Sequence, residues 1–321
     1  MKLKFAPIKF QAALAAGGLS LMAFNYLQFA IPHGEDLINI SDIFWSQMSA
    51  IQVILKAILV VIMLGSTVAH LILTGVFLSG MASWLRTKNQ FNSFMENPLT
   101  NITIFVPIAS LSMTANVVWG PFAFYLSGLS IQTLMWGSLL FYMILWASLF
   151  FLEFKVSKRW FVNPMDTSKL NFVWLLDVFA FGLVSLAGTG IASMAENSAI
   201  ASFASVTSLF VLIFGVFLFV AKLSFLIYIQ LKNAKLPDKP ILPAFFLDIP
   251  ITCLLGLSFY RIMGHFQTIF TFEASVISFF LIIASYVITI GWGLFTVYLL
   301  FEYLRREFFK SQFAPTQWGM V

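Results

Sequence analysis

Long apolar runs separated by short polar gaps dominate the chain. Eight runs can be drawn, at roughly 10–31, 51–85, 101–126, 129–154, 171–195, 199–230, 244–265 and 274–304. About 20 apolar residues are enough for a helix to cross a bilayer, and every run reaches that length. The pattern therefore predicts eight membrane-spanning helices, with boundaries placed to within about two to four residues.

The polar gaps alternate in charge. Lys and Arg precede the first run and recur in every second gap, whereas the gaps between hold acidic residues or no charge. The basic groups are Lys2, Lys4 and Lys9; Arg86 and Lys88; Lys155, Lys158, Arg159 and Lys169; Lys232, Lys235 and Lys239; and Arg305, Arg306 and Lys310. Cytoplasmic loops are enriched in Lys and Arg. The alternation predicts a multi-pass protein of the cell (inner or plasma) membrane, with both ends of this sequence in the cytoplasm.

A proline stands at the start of every odd-numbered run. These prolines are Pro7, Pro98, Pro164, Pro243 and Pro315. Proline suits the first turn of a helix, where its missing N–H costs nothing. The recurrence predicts five related segments, each opening one hairpin of two helices. The last of them stops after about two turns, so we expect a single transmembrane domain over 1–321, with eight full spans and the start of a ninth, out of ten in an intact chain.

Further helix breakers fall inside the odd-numbered runs. The candidates for kinks of inner helices are Pro107, Gly188, Gly190 and Pro250. Irregular backbone is tolerated at membrane depth only where protein or a wet cavity covers it. The breakers predict that the odd-numbered helices lie inside and the even-numbered ones outside. The alternative is that glycine serves close helix packing throughout.

Composition agrees with a membrane protein. Hydrophobic residues make up 60% of the chain, charged residues only 10%, and the mean hydropathy is +0.93. Soluble domains carry about 25% charged residues. The net charge of +5 resides in the short gaps, so it indicates topology rather than nucleic-acid binding.

No motif indicates catalysis. Cys253 is the single cysteine and there are three histidines, which argues against a disulfide, a Cys-rich metal site or a haem held between facing helices. The chain contains no HExxH, GxSxG, Walker or glycine-rich dinucleotide signature. We therefore expect no enzymatic activity, no cofactor and no metal.

Few polar side chains lie within the runs. Those that could line a path are Asn25, Asn116, Asp177, Thr189 and Asp248. Carboxylates inside a membrane usually face a bundle interior or a water path. The alternative is structural: Lys222 lies at a suitable depth to pair with Asp177, and asparagines within helices often bond neighbouring helices. Lys56 and Arg261 lie near the non-basic ends of their runs, where long side chains snorkel or could form a basic mouth.

The odd-numbered helices would all start on the basic side. Their positive dipole ends would then meet at one mouth, which favours anions. A path without fixed charge would bind ions weakly, as conduction requires.

The chain resembles the tellurite-resistance/dicarboxylate transporter family. The likeness lies in Asn97-Pro98, in Asn163-Pro164, in Leu242-Pro243 with Pro250, and in the segment from Ala314 to Gly319. The resemblance implies an all-α membrane protein with ten helices in five hairpins around a quasi-fivefold pore, and a possible homotrimer in the bilayer. It also implies an anion channel or transporter for a small oxyanion or organic acid, of the sulfite, tellurite, nitrate, chloride or C4-dicarboxylate class.

The sequence leaves two other functions open. One is a proton-coupled carrier that uses Asp177 and Asp248 as relays. The other is a non-transporting membrane scaffold or subunit of an enzyme.

Overall fold

A computed structural model describes residues 5–34, 36–97, 100–126, 128–162, 166–270, 273–310 and 313–320. Eight helices in these ranges are long and apolar enough to span a membrane, as predicted. We number them spans 1 to 8 in chain order: Pro7–Ala30, Ala50–Arg86, Asn101–Tyr125, Ile131–Val162, Phe172–Met194, Ser198–Asn233, Lys239–Phe270 and Ser275–Leu299. No strand occurs in the described ranges.

The odd-numbered spans lie inside the bundle. In the most apolar 18-residue window of each span, 56 to 89% of the residues are buried in spans 1, 3, 5 and 7, against 6 to 33% in spans 2, 4, 6 and 8. The even-numbered spans expose large apolar side chains, among them Phe279 and Phe280 of span 8. Such faces are stable against lipid tails, which are as apolar as they are. The predicted division into inner and outer helices is confirmed.

Every inner span begins with a 3-10 turn that continues into an α-helix. The turns are Pro7–Lys9, Asn101–Ile104, Phe172–Leu175 and Lys239–Leu247. A fifth 3-10 turn, Pro315–Met320, which we call the ninth segment, follows span 8. The even-numbered spans begin directly as α-helices. This shared start supports a structural relation among the five proline-led segments.

The prolines lie at these starts rather than at kinks deep in the helices. Pro7 and Pro315 open their turns, and Pro243 lies within one; Pro98 and Pro164 fall outside the described residues. Pro107 and Pro250 occupy the first turn of the α-helices Phe105–Val117 and Asp248–Phe270. The first four N–H groups of a helix have no intrahelical partner, so proline costs little there. The expectation that these two prolines break the interior of a helix is corrected accordingly.

The inner spans pack against one another in chain order. Span 1 packs on span 3, span 3 on span 5, and span 5 on span 7. The ninth segment packs on the 3-10 turn of span 7 and on span 1. Spans 2, 6 and 8 each cover the inner span that precedes them, and span 4 packs on both span 3 and span 5. The five proline-led segments therefore contact one another in a closed order, from span 1 through spans 3, 5 and 7 to the ninth segment and back to span 1.

Gly188 and Gly190 lie within the uninterrupted α-helix Leu176–Met194. A Cβ built on Gly188 would lie 2.0 Å from Ser208 Oγ and 2.6 Å from the Tyr142 ring. Those neighbours belong to spans 6 and 4, and Tyr142 and Ser208 hydrogen-bond each other at 3.2 Å. The glycine thus allows close packing of three helices, which is the alternative that the sequence left open.

Gly188→Ala should therefore lower stability, by about 1–3 kcal/mol, because the added methyl overpacks this crossing. Gly65→Ala in span 2 is the matched control, since a Cβ there meets nothing within 4 Å. The midpoint of thermal unfolding in detergent measures both. Equal midpoints for the two variants would contradict the packing role of Gly188.

Candidate functional site

A cavity of about 220 Å³ lies between the five proline-led segments. Its wall includes residues of spans 1, 3, 5 and 7 and of the ninth segment. They are Gln11, Leu14, Ala15, Gly18, Met113, Phe179, Leu183, Leu247, Pro250, Cys253, Leu254 and Trp318. We call it the axial cavity.

The chemistry of the axial cavity is apolar and uncharged. None of the lining side chains that the structure describes carries a charge. Gln11 supplies the amide, and its buried Oε1 has no hydrogen-bond partner among the described residues. Gly18 leaves open space, since a Cβ built there meets nothing within 4 Å. A solute in this cavity would meet mostly side-chain carbon and one amide.

None of the polar residues that the sequence predicts for the path lines the axial cavity, although Asn25 lies on the face of span 1 that does. Asn25 is exposed on span 1, seven residues after Gly18 and hence on the same side of the helix, about 10 Å further along. Asn116 donates to the Ser112 carbonyl at 3.0 Å, and Thr189 donates to the Leu186 carbonyl at 3.1 Å. Both of these bonds stay within one helix. Among the proposed kink residues, Pro250 does line the axial cavity.

Asp177 is buried away from the axial cavity, in an ion pair with Lys222 of span 6. Its Oδ1 also accepts the Val178 N–H at 2.7 Å. Lys222 Nζ donates to the Trp174 carbonyl at 3.2 Å and lies 4.2 Å and 4.6 Å from the ring centroids of Trp160 and Trp174. A buried ion pair whose two groups also have hydrogen-bond and aromatic partners is typical of a structural contact between helices. The ion pair between Asp177 and Lys222, which the sequence offered as an alternative because both lie at a similar depth in the membrane, is confirmed.

Glu153 of span 4 is a third member of this charge cluster, and the sequence analysis missed it. It is buried and interacts electrostatically with both Asp177 and Lys222. Its Oε1 accepts the Ser157 hydroxyl at 2.7 Å, while its Oε2 has no partner among the described residues. The sequence signal for Glu153 is weak, because Lys155 follows two residues later and Glu153 therefore resembles part of the charged loop that ends the span. Span 4 in fact continues to Val162.

Asp248 is also buried, and its environment differs from that of Asp177. Neither carboxylate oxygen has a hydrogen-bond partner among the described residues. It opens the α-helical part of span 7, between Leu247 and Pro250, which both line the axial cavity. A buried carboxylate without a donor is costly when charged, so this side chain is suited to hold a proton.

Comparison with family models, with curated proteins and with solved structures finds no match to this chain. Within the described ranges, no group of three or more His, Cys, Asp or Glu side chains could hold a metal ion.

Removing the cation of the buried cluster should destabilise the protein strongly. Lys222→Met leaves Asp177 and Glu153 without their positive partner, and breaking a buried pair in this way costs about 3–5 kcal/mol. The double variant Lys222→Met/Asp177→Asn should recover part of the loss. Thermal unfolding in detergent measures both.

The control is Lys232→Met, which removes an exposed lysine from the same helix. If Lys222→Met unfolded at the same temperature as Lys232→Met, the cluster would contribute nothing to stability.

Proposed function

We propose that this protein moves a small anion across the cell membrane, along a path between the five proline-led segments. The observation that carries the proposal is the axial cavity, because residues of all five segments contribute to its wall. The solute class is a small oxyanion or organic acid, such as sulfite, tellurite, nitrate, chloride or a C4-dicarboxylate. We also propose membership of the tellurite-resistance/dicarboxylate transporter family, which the five matching 3-10 starts support.

The direction of the inner helices favours negative solutes. All of them begin on the side where the basic loops lie, so their positive ends point at one mouth. Helix N-termini of this kind attract anions. The buried ammonium group of Lys222 does not compete for the solute, since it is paired with Asp177 behind the inner helices.

The uncharged wall favours passage over tight binding. A fixed counter-charge in the axial cavity would hold an anion, whereas conduction requires that the ion also leave. With the Gln11 amide and mostly carbon around it, an anion would be selected by width and by ease of dehydration. Such a path suits a channel or a low-affinity carrier.

The test is anion flux into liposomes that contain the purified protein. We expect sulfite, nitrate, chloride or malate to enter faster than into protein-free liposomes. Movement of cations or protons without any anion flux would remove the proposal.

Gly18→Leu in the same assay tests the path itself. The leucine side chain would enter the open space of the axial cavity, so flux should fall by at least tenfold while the protein stays folded. The matched control is Gly65→Leu, which adds the same side chain where a Cβ meets nothing within 4 Å, on outer span 2. Equal flux through both variants would show that the axial cavity is not the path.

A second candidate is proton-coupled transport, which the unpartnered carboxylate of Asp248 favours. Asp177 is a poor relay, since its buried carboxylate is already occupied by the ion pair with Lys222.

If Asp248 carries the coupled proton, flux should depend on pH in the native protein and lose that dependence in Asp248→Asn. The amide keeps the shape of the side chain but cannot exchange a proton. Flux measured against external pH checks this, with Asp238→Asn, an exposed carboxylate ten residues earlier, as the control. An unchanged pH profile in Asp248→Asn would eliminate proton coupling through this residue.

A further inference from the structure

A second and larger cavity lies apart from the axial cavity. It occupies the crevice between the hairpin of spans 5 and 6 and the hairpin of spans 7 and 8, at the ends away from the basic loops, and has a volume of about 820 Å³. We call it the crevice. Its wall includes Ser198 and Ser202 of span 6 and Arg261 and His265 of span 7.

Arg261 enters the crevice without a counter-charge. A Cβ built on Gly190 would lie 3.7 Å from Arg261 Nη1 and 3.1 Å from the Trp119 ring, which places the guanidinium against the inner helices. It is half-buried and makes no hydrogen bond or ion pair with any residue that the structure describes. Arginine stays protonated in proteins, so this position holds a permanent positive charge.

His265 follows Arg261 by one helical turn and also lines the crevice. Its Nε2 is buried and has no partner among the described residues. No described residue of the crevice wall is acidic. Glu273 accepts a hydrogen bond from Ser275 of the wall at 3.0 Å, and Glu196 follows the wall residue Ala195 in the chain. An unpaired guanidinium and an unpaired imidazole nitrogen that share a cavity with no acidic residue in its described wall indicate an anionic ligand.

The other residues of the crevice wall indicate which class of anion would fit. Hydroxyl groups of Ser198, Ser202 and Ser278 surround the crevice, and they can each donate to an oxygen. The planar fork of an arginine matches phosphate oxygens two at a time. Phe279 and Ile282 form an apolar wall on outer span 8, where acyl chains would lie. The crevice is therefore polar at one side, apolar at the other, and large enough for a polyatomic group.

We propose that the crevice binds a phosphate group, with Arg261 as the main contact and His265 and the serine hydroxyls as further donors. The phosphate can belong to an anionic membrane lipid or to free inorganic phosphate. This proposal is independent of conduction, since none of the residues named for the crevice lines the axial cavity.

The test uses the purified protein and three probes: phosphatidylglycerol, a diacylglycerol with the same chains and no phosphate, and inorganic phosphate. Native mass spectrometry measures lipid retention, and calorimetry measures binding of inorganic phosphate. We expect phosphatidylglycerol or inorganic phosphate to bind, and diacylglycerol not to. Loss of the charge in Arg261→Gln should weaken that binding by about 10- to 100-fold, and Arg261→Lys should weaken it less.

This experiment distinguishes a lipid headgroup from free inorganic phosphate as the source of the phosphate group. Retention of phosphatidylglycerol without binding of inorganic phosphate identifies a lipid headgroup, and displacement of the lipid by inorganic phosphate identifies a soluble ligand. The matched control is Lys56→Gln, which removes a cation from span 2 that does not line the crevice. If Arg261→Gln cannot be purified, Ser202→Phe fills the crevice from span 6 and should abolish binding.

Three results would overturn the proposal. One is retention of phosphatidylglycerol no better than that of diacylglycerol, together with no binding of inorganic phosphate. The second is equal binding by the native protein and Arg261→Gln, or by the native protein and Ser202→Phe where that variant is used. The third is an equal loss in Lys56→Gln, which would mean that the charge of the protein surface, and not the crevice, attracts the probe.

Discussion

Backbone hydrogen bonding in lipid is the constraint on which the architecture depends. No water is present in the hydrocarbon core, so every exposed N–H and C=O must find a partner within the protein. The inner spans depart from regular α-helix at their 3-10 starts, whereas the outer spans begin as regular α-helices. The outer ring screens the irregular segments from lipid, and in doing so it leaves a protected interior. The axial cavity is a consequence of that division.

The sequence predicted this division because its signals are physical ones. A run of 20 apolar residues has few alternatives to a membrane helix, and the irregular backbone that proline and glycine favour is tolerated only where lipid does not reach. The pairing of Asp177 with Lys222 was open to prediction for the same reason, since two buried charges at one depth stabilise each other only in contact. The interior location of spans 1, 3, 5 and 7 follows from such rules without any knowledge of helix contacts.

The site is less predictable from the sequence, because the wall of the axial cavity carries few polar side chains. Asn116 and Thr189 satisfy their side chains within their own helices, and the axial cavity is lined by Leu183, Phe179 and similar residues that look like ordinary core. Periodicity cannot distinguish an apolar side chain that faces a cavity from one that packs on a neighbour. Pro107 was misplaced for a related reason: the switch from 3-10 to α-helix that puts it in a first turn has no separate signature in the sequence.

The charged side chains buried in the bundle lie mostly outside the axial cavity. Two carboxylates and one ammonium group are gathered between spans 4, 5 and 6, where they tie outer helices to an inner one. Concentrating charge there keeps it out of the axial cavity, whose described wall carries no charge; in the transport that we propose, an anion would be held only weakly. Asp248 and Arg261 are the exceptions, since neither has an opposite charge to pair with among the described residues. They lie 13 residues apart on span 7, about 20 Å along one helix, which is too far for them to neutralise each other. We propose that each takes its partner from outside the chain, a proton for Asp248 and the phosphate group of a lipid or of free phosphate for Arg261.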